Sequence, residues 1–267
     1  SAIAVFFICG SFSFSSELKN EYQEEPLATA SNLQLLEYQE IATEQTEAAE
    51  TTVPTVPTEN SAILIYDEND EVVKPSFSED WKLILVNKQN IVPDDYTFEL
   101  GTVRGSIQAD VRILDELNQM IEDAKKDGVV LVVCSGCRDY NRQTTLFDKK
   151  IRAYMAGGSS YLDAYSIASQ AVTIPGKSEH QIGLALDIVS NEYSSLTEGF
   201  GDTTAGKWLQ EHSPEYGFIL RYPKGQEHIT GIEYEPWHFR YVGAEAAKTI
   251  TDQGITLEEY VEQIGLK

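Results

Sequence analysis

Between Ser106 and Lys126, apolar residues recur every three or four positions, which is the period of an α-helix that buries one face. Gly128 interrupts this pattern. The five residues that follow, 129–133, are all valine or leucine, and this favours a buried β-strand because such side chains pack well on a pleated sheet. The middle of the chain is therefore predicted to hold a helix followed by a core strand.

Similar patterns extend the prediction to the C-terminus. Helices and strands follow one another without a regular βαβ alternation, which favours an α+β domain over a doubly wound sheet. The predicted helices are 106–126, 140–155, 161–172, 204–211, 244–253 and 257–264, and the predicted strands are 83–87, 129–133, 182–190, 218–222 and 237–242.

The first part of the chain has a different composition. Residues 1–15 are largely apolar but shorter than the roughly 20 residues that span a bilayer, so they resemble part of an export signal or a membrane anchor. Cys9 follows Ile8, which disfavours a lipidation site. Residues 16–61 are rich in Glu, Gln, Thr, Ala and Pro and are predicted to form a disordered acidic stalk. A folded domain is then expected at 62–267, outside the cell or at its surface.

The charge of the chain restricts its partners. The formal net charge is −23, so the phosphates of a nucleic acid would be repelled. A solvated acidic surface explains such a charge most simply. Nucleic acid is therefore excluded as a partner, and a monomer is expected.

Cys134 and Cys137 form a CxxC motif directly after the predicted strand 129–133. A zinc knuckle would need a second cysteine pair, and a thioredoxin-like site would need the motif to open a helix. A disulfide would require a turn tight enough to bring the two Cα atoms within reach. Two half-buried thiols are the expected state.

His180 and Asp187 are candidate metal ligands. A core strand normally has an apolar residue where Asp187 stands, because an unpaired buried carboxylate is costly. A metal ion would compensate that cost, and Gly183 allows the chain to turn so that both side chains reach one pocket. A surface histidine and a hydrogen-bonded aspartate are the alternative.

Glu235 and His238 lie at the start of another predicted strand. Strict alternation would place them on opposite faces. Pro236 cannot donate to a strand ladder, so Glu235 is expected just before the regular strand or at a bulge. From there its carboxylate would reach a metal-activated water as a general base without binding the metal. A salt-bridged glutamate and a core histidine are the alternative.

Arg138 lies between a strand end and a helix start. A guanidinium at that place would meet a developing oxyanion or a substrate carboxylate. A surface arginine is the alternative for this residue taken alone.

These segments together resemble the VanY-type D-alanyl-D-alanine carboxypeptidases, which are M15 metallopeptidases of the LAS type. The family pattern S-x-H-x-x-G-x-A-x-D is matched in full from Ser178 to Asp187, and E-x-W-H is matched by 235–238. The resemblance covers about residues 81–264.

A third family pattern, S-G-Y-R-S-x-x-x-Q, begins at Ser135 and ends at Gln143. Cys137 stands where the family usually has Tyr, and Asp139 where it often has Ser. Both flank Arg138, so these departures affect the pocket and the substrate preference rather than the metal site.

The resemblance implies a small, mostly antiparallel sheet flanked by helices, a bound Zn²⁺, and removal of the terminal D-alanine from peptidoglycan stem peptides. It also implies roles for individual residues: His180, Asp187 and His238 as zinc ligands, Glu235 and Arg138 as catalytic groups, and Ser178 and Gln143 as contacts of the terminal substrate residue.

Three alternatives remain at this point. The same fold would support an L,D-carboxypeptidase acting on tetrapeptide stems, or an endopeptidase that cuts within the stem. A wall-binding module without turnover is a third alternative, although Glu235 and Arg138 would have no purpose in it. His212 and His228 match no ligand position and are expected at the surface.

Overall fold

A computed structural model describes residues 81–266 of the chain. The predictions for the apolar start, the acidic stalk and the first residues of the domain lie outside the described residues. The strands are β1 (Leu100–Arg104), β2 (Ile107–Asp110), β3 (Leu131–Ser135), β4 (Ala185–Ser190), β5 (Phe218–Leu220) and β6 (His238–Tyr241). The helices are α1 (Leu114–Lys126), α2 (Tyr140–Ala156), α3 (Tyr161–Ala171), α4 (Thr204–His212), α5 (Glu227–Thr230), α6 (Ala244–Gln253) and α7 (Leu257–Gln263).

Four strands form one antiparallel sheet in the order β3-β4-β6-β5. Every residue of β4 and β6 is buried, because these two strands occupy the middle of the sheet and elements pack on both of its faces. Strands β1 and β2 form a separate hairpin. The mixture of helices with small antiparallel sheets confirms the predicted α+β class.

Sequence chemistry accounts for where the helices around the sheet begin and end. Helix α1 has Asp115 and Glu116 in its first turn and two lysines in its last turn, which suits the helix dipole. Its buried face includes Leu117 and Met120, which belong to the main core cluster. Helix α2 begins where the Asp139 side chain accepts a hydrogen bond from the backbone N–H of Arg142 at 2.6 Å.

Two sequence predictions about the edge of the domain are wrong. Residues 83–87 form no strand, because the guanidinium of Arg240 takes the carbonyls of Lys82 and Ile84 and the Asn87 side chain caps a turn. The predicted helix at 106–126 begins only at Leu114, since Gly105 turns the chain and 107–110 pair with β1.

The predicted strand at 182–190 begins three residues late, at Ala185. Residues Glu179–Ile182 form a 3-10 turn that ends at Gly183, whose φ is 71°. Among the described residues, no helix is both long and apolar enough to cross a membrane.

Gly183 is held in a crowded left-handed turn between His180 and β4. Its carbonyl accepts the backbone N–H of Asp110 at 3.0 Å. A Cβ at this position would lie 2.4 Å from the Phe98 ring. The turn therefore needs glycine for two separate reasons, its backbone conformation and the close approach of the ring.

We expect Gly183→Ala to destabilise the protein by about 1–2 kcal/mol for the left-handed backbone and about 1–3 kcal/mol more for crowding. The measurement is the free energy of unfolding from denaturant titrations. Gly225→Ala is the matched control, because Gly225 has a φ of 89° with no atom within 4 Å of an added Cβ. Equal losses in the two variants would contradict the crowding argument.

Candidate metal and active site

The two central strands of the sheet bring Asp187 and His238 side by side. They are directly opposed in the ladder between β4 and β6, so their side chains lie on the same face. The Asp187 Oδ1 atom is 3.2 Å from the Nδ1 atom of His238. Both residues are buried. The sheet register therefore fixes two of the three predicted ligands.

The 3-10 turn before Gly183 supplies the third ligand, His180. Its Nδ1 atom donates a hydrogen bond to the carbonyl of Gly136 at 2.7 Å, since a carbonyl can only accept. Its Nε2 atom is buried, makes no hydrogen bond to any of residues 81–266 and lies 3.5 Å from Asp187 Oδ2. This leaves the Nε2 lone pair directed at the other two ligands, while the Gly136 carbonyl sets the ring orientation.

The donor set fits a metal ion such as zinc. One nitrogen or oxygen atom from each of His180, Asp187 and His238 lies within 4.8 Å of the others. Two imidazoles and a carboxylate are ligands that zinc takes in catalytic sites, where a fourth position stays open for water. The unpartnered, buried Nε2 of His180 is the observation that such an ion would explain.

Glu235 lies in a turn immediately before β6. Its carbonyl accepts the backbone N–H of His238 at 3.1 Å, and its own N–H donates to the Tyr222 carbonyl at 3.2 Å. In an ideal strand, the side chains of residues 235 and 238 would point to opposite faces. The turn brings them to the same side, and Glu235 Oε2 lies 3.6 Å from His238 Nδ1. The glutamate is therefore on the ligand side of the strand, beside the ligands.

Arg138 approaches the ligands from the loop between β3 and α2. Its Nη2 atom is 3.7 Å from Asp187 Oδ2, and its backbone N–H donates to the His180 carbonyl at 3.1 Å. Its Nε atom is buried and has no hydrogen-bond partner in the part of the chain that the structure describes. Gly136 allows this loop to pass close to β2, because a Cβ there would lie 2.3 Å from the Gln108 carbonyl oxygen.

Burial and neighbouring charges shift the pKa values of the cluster. Burial, with the positive charge of Arg138 added, lowers the pKa of His180 to about 4. Burial also raises the pKa of Glu235 to about 8. Burial alone would lower the pKa of His238, but Asp187 and Glu179 outweigh it and raise that pKa to about 9. At neutral pH the metal-free site thus holds protons on His238 and Glu235.

Asp187 remains ionised despite its burial. Burial would raise its pKa, yet His180 and His238 together hold the pKa well below its usual range. A carboxylate that stays charged in a buried cluster provides the negative charge that a divalent cation requires.

One cavity of about 780 Å³ contains all seven predicted site residues in its lining. Ser178 is buried at the start of the 3-10 turn. Gln143 is buried on α2, where its Nε2 donates to the Thr173 carbonyl at 2.6 Å and its Oε1 makes no hydrogen bond. The cavity wall includes Arg138, Gln143, Ser178, His180, Asp187, Glu235 and His238.

A family model for VanY, D-alanyl-D-alanine carboxypeptidase, matches residues 106–244. The chain belongs to the VanY family. A D-alanyl-D-alanine carboxypeptidase of Enterococcus faecalis (strain ATCC 700802 / V583) is 40% identical over 205 residues, which cover 77% of this chain and 72% of that protein.

Solved VanY structures share the fold. A mutant of the vancomycin resistance D,D-pentapeptidase VanY in complex with Zn(II) has a TM-score of 0.63 at 42% identity and covers 68% of this chain and 99% of that one. VanYB in complex with D-alanine-D-alanine has a TM-score of 0.64 at 42% identity, and the match covers 68% of this chain and 98% of that one. The LdcB LD-carboxypeptidase has a TM-score of 0.56 at 43% identity, and the match covers 67% of this chain and 84% of that one.

Compared with the usual VanY pattern, Cys137 introduces a thiol beside Arg138, and Cys134 lies just before the segment that the pattern covers. Among the described residues, neither Cys134 nor Cys137 forms a disulfide, and both are half-buried, as expected. Burial raises the pKa of Cys137 to about 11, so its thiol stays protonated at neutral pH. The Cys134 thiol donates to the Asp187 carbonyl at 3.3 Å. Both thiols line the cavity as small side chains.

The other two histidines stand apart from this VanY site. His212 pairs with Glu215 at 3.1 Å, and His228 is exposed on α5. Neither residue lines the cavity. The sequence interpretation of both as non-ligands agrees with their positions.

Sequence reasoning missed Glu179, which lies beside His180 but faces away from the cavity. Its side chain is fully buried between Arg221 and Arg240. Burial would raise the pKa of Glu179, but the two arginines outweigh it and hold the pKa below its usual range. Arg240 was the sequence signal for such a buried acid. It stands two positions after His238, on the same face of a strand that is otherwise buried and aromatic, so its charge would need a partner there.

We expect the apparent zinc affinity of the metal-free protein to rise by more than tenfold per pH unit below about pH 8 and by about tenfold per unit just above it, because zinc displaces one proton from His238 and, below pH 8, a second from Glu235. His238, with a pKa of about 9, must lose a proton before it binds metal, whereas His180 is already neutral near pH 8. The measurement is competition with a chromogenic chelator, combined with calorimetry in two buffers to count the protons released. His212→Gln is the control and should keep the slope. An affinity that does not change with pH would contradict the assignment.

Proposed function

We propose that this protein is a zinc-dependent D-alanyl-D-alanine carboxypeptidase that removes the terminal D-alanine from peptidoglycan stem peptides. The observation that carries the proposal is the cluster of His180, Asp187 and His238 with Glu235 beside it, in a chain of the VanY family. VanY relatives bound to Zn(II) and to D-alanine-D-alanine support the choice of metal and substrate.

The metal would be held by His180 through Nε2, by the Asp187 carboxylate and by His238 through Nδ1. These are the atoms that face one another in the cluster. Zinc, when bound, supplies a Lewis acid that acidifies water and polarises the scissile carbonyl. The positive charge would also lower the pKa of Glu235, so that its carboxylate is ionised at neutral pH.

Glu235 acts as the general base in this mechanism. Its carboxylate takes a proton from the attacking water and later gives that proton to the nitrogen of the leaving D-alanine. Its Oε2 atom lies 3.6 Å from His238 Nδ1, and Glu235 is outside the group of three candidate ligands. A carboxylate beside the metal but not bound to it suits this proton transfer.

Arg138 stabilises the negative charge that develops on the carbonyl oxygen. Its Nε atom is buried and makes no hydrogen bond, so this donor is available to an oxyanion or to the substrate. Its ion pair with Asp187 at 3.7 Å keeps the guanidinium close to the ligands.

Ser178 and Gln143 would contact the terminal residue of the substrate. Gln143 lines the cavity and its Nε2 is taken by the Thr173 carbonyl, so its Oε1 would be the atom that accepts a substrate N–H. The Ser178 hydroxyl would donate to the terminal carboxylate.

This activity places the protein at the cell wall. We further propose that the chain is exported, that the apolar start serves as a signal or anchor, and that the acidic stalk holds a monomeric catalytic domain away from the membrane. Protease accessibility on intact cells tests the location.

An L,D-carboxypeptidase is a second candidate, because the LdcB LD-carboxypeptidase is as similar in sequence as the VanY structures are. The two activities differ in the residue before the scissile bond. Cys137 lines the cavity beside Arg138, so preference between the two activities would be expressed there, whereas Asp139 is exposed and caps α2.

The deciding experiment is a digest of pentapeptide and tetrapeptide stems followed by mass spectrometry. We expect loss of one D-alanine from the pentapeptide, abolished by a chelator and restored by added zinc. Cleavage of the tetrapeptide alone would support the L,D activity instead. No cleavage of either stem by zinc-loaded protein would leave only a binding role.

Glu235→Gln should retain zinc while its kcat falls by about 10²–10⁴-fold, since the amide cannot take a proton. Zinc content and steady-state kinetics on the pentapeptide measure the two effects. Glu233→Gln is the matched control, because Glu233 is exposed two residues earlier in the chain. Near-normal turnover in the Glu235 variant would reject this residue as the base.

A further inference from the structure

Glu179 is a buried carboxylate with two differently used oxygens. Its Oε1 accepts hydrogen bonds from Arg221 Nε at 2.7 Å and from Arg240 Nη1 at 2.8 Å. Its Oε2 makes no hydrogen bond within the part of the chain that the structure describes and lies 3.7 Å from His238 Nε2. One oxygen is therefore anchored, and the other points at the imidazole of a metal ligand.

The imidazole of His238 has an acidic group on each side. Its Nδ1 faces Asp187 Oδ1 at 3.2 Å and Glu235 Oε2 at 3.6 Å, on the side of the cavity. Its Nε2 is buried and makes no hydrogen bond among the described residues. An imidazole that binds a metal through Nδ1 carries its proton on Nε2, and Glu179 is the acceptor placed to receive that proton.

The orientation of Glu179 is fixed from several directions. Arg221, one of its two anchors, is also held by Glu258 on α7 through bonds of 2.8 and 2.6 Å. Arg240, the other anchor, is held by the carbonyls of Lys82 and Ile84, each at 2.8 Å. Both arginines and Glu179 have no exposed side-chain surface. The carboxylate consequently cannot turn away from His238 without breaking buried charged bonds.

We propose that Glu179 is a positioning residue for His238: its Oε2 is the acceptor for the N–H at Nε2, which keeps the proton on that nitrogen and leaves Nδ1 to face the metal. Glu179 does not touch the substrate or the metal in this arrangement. Its effect on turnover rests on the proposed function, but its effect on metal binding does not.

Three variants test the proposal. Glu179→Gln removes the charged acceptor. Glu179→Asp keeps the negative charge beside the two arginines, but its shorter side chain no longer reaches His238. Glu258→Gln removes a charge on the far side of Arg221 and serves as the control. Zinc affinity by chelator competition, kcat and KM on the pentapeptide, and the absorption spectrum of the cobalt-substituted protein are measured for each. The free energy of unfolding reports the purely structural loss.

We expect zinc affinity to fall by about 10–100-fold in Glu179→Gln and by less in Glu179→Asp, with an altered cobalt spectrum in both. Glu258→Gln leaves both arginines bonded to Glu179, so it should lose stability while its zinc affinity and cobalt spectrum change by less than in either Glu179 variant. If Glu179→Gln does not fold, the zinc affinities and cobalt spectra of Glu179→Asp and Glu258→Gln are compared instead, and a larger change in Glu179→Asp supports the proposal.

Parent zinc affinity and cobalt spectra in the Glu179 variants would overturn the proposal. Equal loss of affinity in the Glu258 variant would also overturn it, because the effect would then belong to the charge network as a whole. If the parent protein cleaves no stem peptide but the Glu179 variants still bind zinc more weakly, the proposed function fails and this inference stands.

Discussion

Asp187 keeps a negative charge in the middle of a strand on which every residue is buried, and the surrounding structure compensates that charge. An isolated carboxylate in such a place would be costly. His180, His238 and Arg138 all come within 3.7 Å of its oxygens. Without metal, a proton on His238 balances the charge, and a divalent cation would replace that proton. The same group of side chains is thus compatible with a stable protein in both states.

His238 illustrates how a buried ligand is controlled from both sides. Asp187 and Glu235 lie by its Nδ1, and Glu179 lies by its Nε2. Three carboxylates around one imidazole would repel one another in an apolar interior. Arg138 near Asp187 and the two arginines on Glu179 offset that repulsion, so the acidic groups can stay close to the ring.

The residues of the candidate cluster could be singled out from the sequence because they stand where the local pattern disagrees with simple burial. Asp187 occupies an apolar position of a strand, and Pro236 separates Glu235 from the regular strand. These conflicts are visible in one segment of sequence at a time. The resemblance to a known family joined the segments into one site.

The network behind His238 and the hairpin at 100–110 were not predictable in that way. Which arginine meets Glu179 depends on β5 and β6 lying side by side, and this pairing is a property of the folded sheet. Likewise, residues 107–110 have the apolar spacing of a helix, and only the turn at Gly105 with the partner strand makes them extended. Local periodicity carries no information about such partners.

The strand order β3-β4-β6-β5 has a consequence for how the protein reaches its native state. Neighbours in this sheet are separated by about fifty residues where β3 meets β4 and again where β4 meets β6, so long loops must close before the strands pair. No short stretch of chain contains all three ligands. A metal ion therefore cannot nucleate folding within one short segment, as it does in a zinc finger, because the three candidate ligands come together only when the sheet forms.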